Sequence, residues 1–486
     1  MPDLSLEDKY LITVGLEVHC ELRTATKLFC GCANTFGSPP NTNICPVCLG
    51  LPGALPVLNK RAVEYAIAIG LALNCDIRRS VFARKNYFYP GMPKDFQISQ
   101  YDEPICVEGF LELPVAGKRV GIVRAHIEED TGKTTHVGSS GRIQGADFSL
   151  VDYNRSGIPL VEIVSEPDME SADEAREYVS ELRAILVATG ATDGKMEEGS
   201  LRVDANVSVR RKGTDELGTR CEIKNLNSLR SLGRAIQYEA RRQMEIVEEG
   251  GRVHQETRHW NEDSGMTSSL RSKEEANDYR YFPEPDLVPL EPSHEMVESV
   301  RATLPVLPPA RRAVLSELAG GKPSPSELEQ IGTCVALELD GYVNSAVAAG
   351  VPFKLALSRA ANELAALVGA GGAVANESFV ELLRAEDSGR LSATQTKAVM
   401  SRLAELGGSV EDAITALGFV GLSDSEVAAL VERVTSENPD EWSRYLAGEN
   451  QLAGFFIGAA MKASGGKVNG RIFSALLAGK REVSRH

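Results

Sequence analysis

Between residues 11 and 19 apolar and polar side chains nearly alternate, with Val14, Leu16 and Val18 on one face and Glu17 and His19 on the other. That is the period of a half-buried strand. Residues 200–209 alternate more cleanly, Leu201, Val203, Val207 and Val209 against Asp204 and Ser208. Both segments predict strands that present polar groups on one side. Helical spacing takes over after Ser171-Ala172-Asp173-Glu174, a capping-box pattern followed by Ala175, Tyr178, Val179, Leu182, Ile185 and Leu186 and stopped by Gly190. Asn59 is placed to cap another helix through Val63, Ala66, Ile67 and Gly70. Residues 11 to about 290 therefore read as α+β.

Two proline clusters follow, one in a linker over Tyr281-Phe282-Pro283-Glu284-Pro285-Asp286-Leu287-Val288-Pro289 and one from Leu304-Pro305 to Pro308-Pro309. Prolines at that density end regular structure. Beyond them the chain is rich in Ala, Leu and Glu, with repeated short helical patterns, and Ser423-Asp424-Ser425-Glu426 repeats the capping-box signature before Val427 and Leu430. The expected division is a domain over 1–293, a helical domain over 294–410 and a tail over 411–486. The last 25 residues hold Lys462, Lys467, Arg471, Lys480, Arg481 and Arg485 against one acid, Glu482.

Composition narrows the classes. The 486 residues carry 52 Lys+Arg and 68 Asp+Glu, a formal charge of −16, which excludes a uniformly basic nucleic-acid binder but not a locally basic groove. No apolar run approaches the ~18–20 residues of a membrane span. The first residues lack the basic and apolar regions of a secretory signal. Nine cysteines, an odd count without such a signal, point to a reducing, cytoplasmic setting rather than a disulfide framework.

Cys30-Gly31-Cys32 is followed after twelve residues by Cys45-Pro46-Val47-Cys48, in a segment rich in Gly, Pro and Asn. Two close thiolate pairs in a loop suit a structural, tetrahedral Zn²⁺; the bland reading is reduced core cysteines that happen to cluster. Carboxylates also stand inside strand-like runs: Glu17, the Glu128-Glu129-Asp130 triplet, Glu162, Asp204 and Glu222. A charge in an apolar run is costly unless paired or metal-bound. Several together suggest Mg²⁺ bound through oxygen, with salt bridges to nearby Arg and Lys as the alternative for each acid alone. Thr131-Gly132-Lys133-Thr134 resembles the end of a phosphate loop, but Ile127 stands where that motif needs Gly. Basic and aromatic residues interleave in 84–90 and 278–283, which suits phosphates and unpaired bases, or else a core-edge aromatic cluster.

Together these segments resemble the B-subunit family of the tRNA-dependent amidotransferases, which make Gln-tRNA or Asn-tRNA from the misacylated precursor. The resemblance runs through residues 14–19, 85–90, 97–100, 126–130, 162–168, 196–202, 222–228 and 278–286, in family order. It implies a glutamine synthetase-like cradle domain, then an all-α helical domain and a small helical tail domain, whose basic end, residues 462–485, is the candidate tRNA-binding contact by its charge, or else a solvated helix face. It implies that ATP converts the side-chain carboxylate of Glu-tRNA(Gln) or Asp-tRNA(Asn) to an acyl phosphate, which ammonia then displaces. By carry-over, Glu17, His19, Glu129, Glu162, Asp204 and Glu222 form the Mg²⁺-binding set, and Lys85 resembles the family's lysine near the ammonia entrance or phosphate. Ammonia would come from an amidase A subunit, and a small C subunit would bridge the two. In Tyr89-Pro90-Gly91-Met92-Pro93 the chain departs from the family, which often has Asp after the proline. The competing enzyme class is a glutamine synthetase-like or guanido-type kinase acting on a free small metabolite.

Overall fold

The computed structural model describes residues 6–138, 146–272, 279–419, 424–465, 468 and 470–485. The chain forms two compact units, Met1–Pro309 and Ala310–His486. In the first, the strands are β1 (Tyr10–Glu21), β2 (Asp76–Ile77), β3 (Phe82–Asn86), β4 (Phe96–Gln100), β5 (Cys106–Leu113), β6 (Lys118–Glu129) and β7 (Lys133–Gly138). They continue as β8 (Ala146–Asp152), β9 (Pro159–Ser165), β10 (Leu201–Arg211), β11 (Cys221–Leu226), β12 (Glu256–Asn261), β13 (Met266–Ser272) and β14 (Phe282–Pro283). One nine-stranded sheet runs β13-β12-β11-β10-β1-β9-β6-β5-β2. Its ladders are antiparallel except for β11 with β12. β14, β3 and β4 form a second sheet, and β7 pairs with β8.

The two alternating segments are β1 and β10, the centre of the large sheet, paired in register Glu17 with Asp204 and His19 with Arg202. Val14, Leu16 and Val18 are buried in the core with Val203, Ala205 and Val207. Full burial of such a side chain contributes about 1.5–3 kcal/mol. Helices Lys60–Ala72, Ala172–Ala188 and Leu229–Glu248 cover this apolar face. Asn59 caps the first by accepting from the Arg61 N–H at 2.9 Å. Ser171 accepts from the Glu174 N–H at 3.1 Å, but the Glu174 carboxylate accepts from Glu170, one residue earlier than a full capping box requires.

The segment expected to be a linker is part of the first unit. Phe282 and Pro283 pair with Arg84 and Ala83, and Glu284, buried, takes both guanidinium N–H groups of Arg84 at 2.7 Å. Proline lacks an N–H, and an edge strand tolerates that. Helix His294–Thr303 also belongs here: Val300 lies in the same core, so that core extends past residue 293.

The second unit is helical and holds two apolar clusters, one spanning Leu315–Ile414 and one Val427–Leu477. The expected cap at Ser423 lies outside the described residues. Of the basic tail residues, Lys480 bonds Glu432 at 2.6 Å and lies over the Trp442 ring, while Arg481 bonds Asn450 and lies over Tyr445. Both serve the packing of the tail itself. Lys462 is exposed; Lys467 and the side chains of Arg471 and Arg485 lie outside the described residues. No described helix is long and apolar enough to cross a membrane.

Candidate metal and carboxylate site

Opposite the helices, five neighbouring strands turn polar side chains to the open face of the large sheet. Glu162 on β9 lies across from His19 on β1 on one side and His126 on β6 on the other. The His19 Nε2 stands 3.5 Å from Glu162 Oε2 and 3.8 Å from Glu128 Oε1. His126 Nε2 is 3.4 Å from Glu162 Oε2 and 3.8 Å from Glu128 Oε2. Donor atoms of His19, Glu128 and Glu162 all fall within 4.8 Å of one another. An octahedral Mg²⁺ with bonds of about 2.1 Å spans roughly 4.2 Å between opposite ligands. A single ion therefore fits this donor set after small side-chain shifts.

Electrostatics follow from that crowding. Burial works against the His19 imidazolium, but the carboxylates of Glu162, Glu128 and Asp204 outweigh it and hold its pKa at about 9. Burial would likewise raise the Glu162 carboxyl, yet His126, His19 and Lys85 pull it well below the usual range. Glu17 moves the other way, raised by burial and then by Glu162 and Glu222.

The remaining expected ligands separate from this cluster. Asp204 Oδ2 and Glu222 Oε1 both hold the Lys224 ammonium, at 2.5 and 2.8 Å, and Asn206 donates to Glu17 Oε1 at 3.0 Å. Glu222 also accepts from the Thr257 hydroxyl at 2.8 Å. Lys224 thus offsets part of the charge of the second acidic group. Glu129 lies elsewhere: its carboxylate pairs with Lys94 and accepts from the Ile98 N–H at 2.9 Å. Lys85 does reach the cluster, its ammonium feeling Glu128 and Glu162 and lying 5.1 Å from the Tyr279 ring centre.

The set carried over from the resemblance lacks Glu128, His126 and Lys224, although Glu128 stood among the strand carboxylates noted in the sequence. A register shift in β6 between Ile122 and Arg124 puts the first two on the polar face. Counted by strict alternation from the buried Val120 and Ile122, Glu128 would face the helices and Glu129 the open side. The bulge reverses the phase, so that Ala125 and Ile127 enter the core and His126 and Glu128 face outward. For Lys224 the signal was present: it stands two residues after Glu222 on one strand and shares its face.

The cysteines form a second centre. The sulfurs of Cys30, Cys32, Cys45 and Cys48 lie within 4.8 Å of one another. A tetrahedron with Zn–S bonds of about 2.3 Å has edges of roughly 3.8 Å. The Cys30 thiol, the Cys45 backbone N–H and the Lys27 ammonium favour a thiolate at Cys48 and hold its pKa well below the usual thiol range. The other five cysteines are buried, as expected of small apolar side chains. Asparagines fasten the loop to the chain leading into β9: Asn41 donates to Val151 O at 3.0 Å, and Asn154 donates to Pro39 O at 2.7 Å. Ser156 and Cys48 meet at 3.5 Å.

Residues 12–298 match the family described as the GatB/GatE catalytic domain, and residues 342–480 match the GatB domain. A Carboxydothermus hydrogenoformans protein, named as the B subunit of aspartyl/glutamyl-tRNA(Asn/Gln) amidotransferase, is 46% identical over 482 residues, 97% of this chain and 99% of its own length. Proteins of the same name from Frankia casuarinae and an Anaeromyxobacter species are each 47% identical, covering 98% and 96% of this chain and 96% and 98% of their own lengths.

Proposed function

The chain belongs to the GatB family, the B subunits of the aspartyl/glutamyl-tRNA(Asn/Gln) amidotransferases, and on that premise we propose that its open sheet face amidates misacylated tRNA. A largely antiparallel sheet, with helices on its apolar face and its polar groups on the other, supports a glutamine synthetase-like cradle. The observation that carries the reading is the convergence of His19, Glu128 and Glu162 on that face.

The substrate is Glu-tRNA(Gln), Asp-tRNA(Asn) or both. Its side-chain carboxylate oxygen attacks the γ-phosphorus of ATP, and ADP leaves. Ammonia then attacks the acyl carbon, phosphate departs and the new nitrogen loses a proton, giving the amide. Phosphoryl transfer of this kind is mostly positioning and charge neutralisation. Bound Mg²⁺ would supply charge neutralisation at the phosphates, held by Glu128, Glu162 and neutral His19. Lys85, beside the same carboxylates, supplies a fixed cation for phosphate or carboxylate oxygens. Asp204 and Glu222, held by Lys224, and Glu17, held by Asn206, form an adjoining acidic wall, either a second metal position that opens when Lys224 swings away or a positioning network.

The four cysteines hold structural zinc, which fixes the loop against the start of β9 and so the placement of Glu162. Ammonia comes from the amidase A subunit, and the small C subunit joins the two, in a cytoplasmic heterotrimer. The tail domain supplies part of the tRNA contact, through Lys462 and its basic neighbours.

The test is ATP hydrolysis and amide formation by the complex reconstituted with both partner subunits. Both activities should require the misacylated tRNA and fall at least a hundredfold in Glu128→Gln. Turnover with free glutamate alone would instead establish the small-metabolite kinase, and unchanged activity in E128Q would overturn the site.

A further inference from the structure

Beside the carboxylate cluster stands a wall of tyrosines to which the proposed chemistry gives no role. The rings of Tyr101 and Tyr281 are stacked, with centres 4.0 Å apart and planes 6° from parallel. Tyr279 meets Tyr281 edge-on at 6.1 Å, and Tyr87 meets Tyr279 edge-on at 6.0 Å. The stack is therefore buttressed from one side.

The wall is fastened to the site at both ends. On β4, the Ser99 hydroxyl donates to Glu128 Oε2 at 3.3 Å, and the Gln100 side-chain oxygen accepts from the Ile127 N–H at 2.9 Å. Tyr101 is the next residue, so its backbone is pinned beside Glu128. On the other side, the Asn86 side chain donates to the carbonyls of Tyr279 and Arg280 at 3.1 and 2.8 Å, which anchors the segment carrying Tyr281. The Lys85 ammonium lies 5.1 Å from the Tyr279 ring centre.

Tyr101 is nonetheless 53% exposed. A ring that merely completed a core would not lie stacked on its partner with so much of its surface in solvent. Parallel rings pinned in place, with one outer face free, make a platform for a third planar ring. Stacking a base on an aromatic side chain contributes roughly 1–3 kcal/mol and requires no hydrogen-bond readout.

We propose that the Tyr101–Tyr281 stack is an adenine platform, on which the outer face of Tyr101 receives a purine base and so sets the attached phosphate or ester against the His19–Glu128–Glu162 cluster. This rests on the reading given under Proposed function, in which two adenines reach the site: that of ATP and the terminal adenosine of the tRNA. The shared chemistry is a purine ring, and the two sources separate by experiment.

The experiment uses the complex assembled with its partner subunits and two fluorescent probes: 2-aminopurine riboside triphosphate, and tRNA carrying 2-aminopurine at its 3′ end. Stacking quenches the fluorescence of this base. In the wild type and in Tyr101→Trp, one probe should be quenched on binding. In Tyr101→Leu and Tyr101→Ala that quenching should disappear and the same ligand should bind about tenfold more weakly, the other ligand staying within about twofold. Which probe responds identifies the source. Tyr281→Leu, which removes the support, should reproduce the loss in part. Equal quenching and affinity in wild type and Y101A, or Y101L matching Y101W, would overturn the platform alone. Failure of the wild-type complex to bind either probe would overturn the functional reading and the platform with it.

Discussion

Binding of a cation at the sheet face should expel a proton from His19. Three carboxylates act on this imidazole: Glu162 from β9, Glu128 from β6 and Asp204 from β10. His126 lies against the same carboxylates, the charge of Lys85 acts on Glu162, and Arg202 is the cross-strand neighbour of His19. With its pKa at about 9, His19 is roughly 97% protonated at pH 7.5, whereas a metal takes only the neutral ring. Deprotonation there costs about 2 kcal/mol, or roughly thirtyfold in apparent affinity. Apparent Mg²⁺ affinity should thus rise nearly tenfold per pH unit from 7 towards 9 and flatten above. Stability of the metal-free protein should move oppositely. A pKa raised above the unfolded value of 6.5 gives stabilisation that is complete below pH 6.5 and lost as pH rises through 9. The loss is at most about 3–4 kcal/mol. Titration calorimetry with Mg²⁺ in two buffers of different ionisation enthalpy reads the protons released. About one per site is expected for the wild type and none for His19→Asn. A wild-type enthalpy independent of buffer would refute the assignment of His19 as a ligand.

Three further outcomes follow from the geometry. Mg²⁺ affinity should fall at least tenfold in Glu128→Gln and stay within about twofold in Glu129→Gln, because the bulge in β6 turns only the former to the open face; equal effects in the same calorimetry would mean that the phase of β6 is wrong. Elemental analysis should find one zinc per chain, lost in Cys48→Ser, and chelation should make the 38–50 loop protease-sensitive; protein prepared without chelators yet free of zinc would remove the metal from the fold. Glu239, fully buried, holds Arg242 at 2.6 Å and Arg258 at 3.2 Å, with Glu256 as the second carboxylate of both arginines, so Glu239→Ala should cost about 1–3 kcal/mol in urea unfolding by breaking this buried network, and a cost below about 0.5 kcal/mol would show that Glu256 alone suffices.

Much of the first unit was legible because its central strands obey a simple period. Leu16 and Val18 against Glu17 and His19 fix both the existence of β1 and its polar face, and β10 repeats the pattern. Caps at Asn59 and Ser171 were legible because capping is local. The cysteine centre was legible because both pairs are short-range in sequence. The proline-rich stretch after Tyr281 misled for the opposite reason. Its place is set by Arg84, some two hundred residues away, whose guanidinium buries Glu284, and no local rule reports such a partner.

Which carboxylate of β6 joins His19 and Glu162 was the least legible feature, and it turns on one residue of phase. Glu128 and Glu129 are chemically the same, so only the face to which each points decides its role. That face is set upstream, where β6 slips by a residue against β9 between Ile122 and Arg124. Insert the slip, and His126 joins Glu128 beside Glu162 and His19; omit it, and Glu129 takes that place. The same slip gives Glu129 a different task. Directed to the helical side, it pairs with Lys94 and binds the Ile98 N–H, tying β4 to β6. Ser99, the next residue of β4, can then reach Glu128. The neighbouring carboxylates are held apart: Glu128 stands with His19 and Glu162 on the polar face, and Glu129 holds the strand from which the tyrosine wall begins.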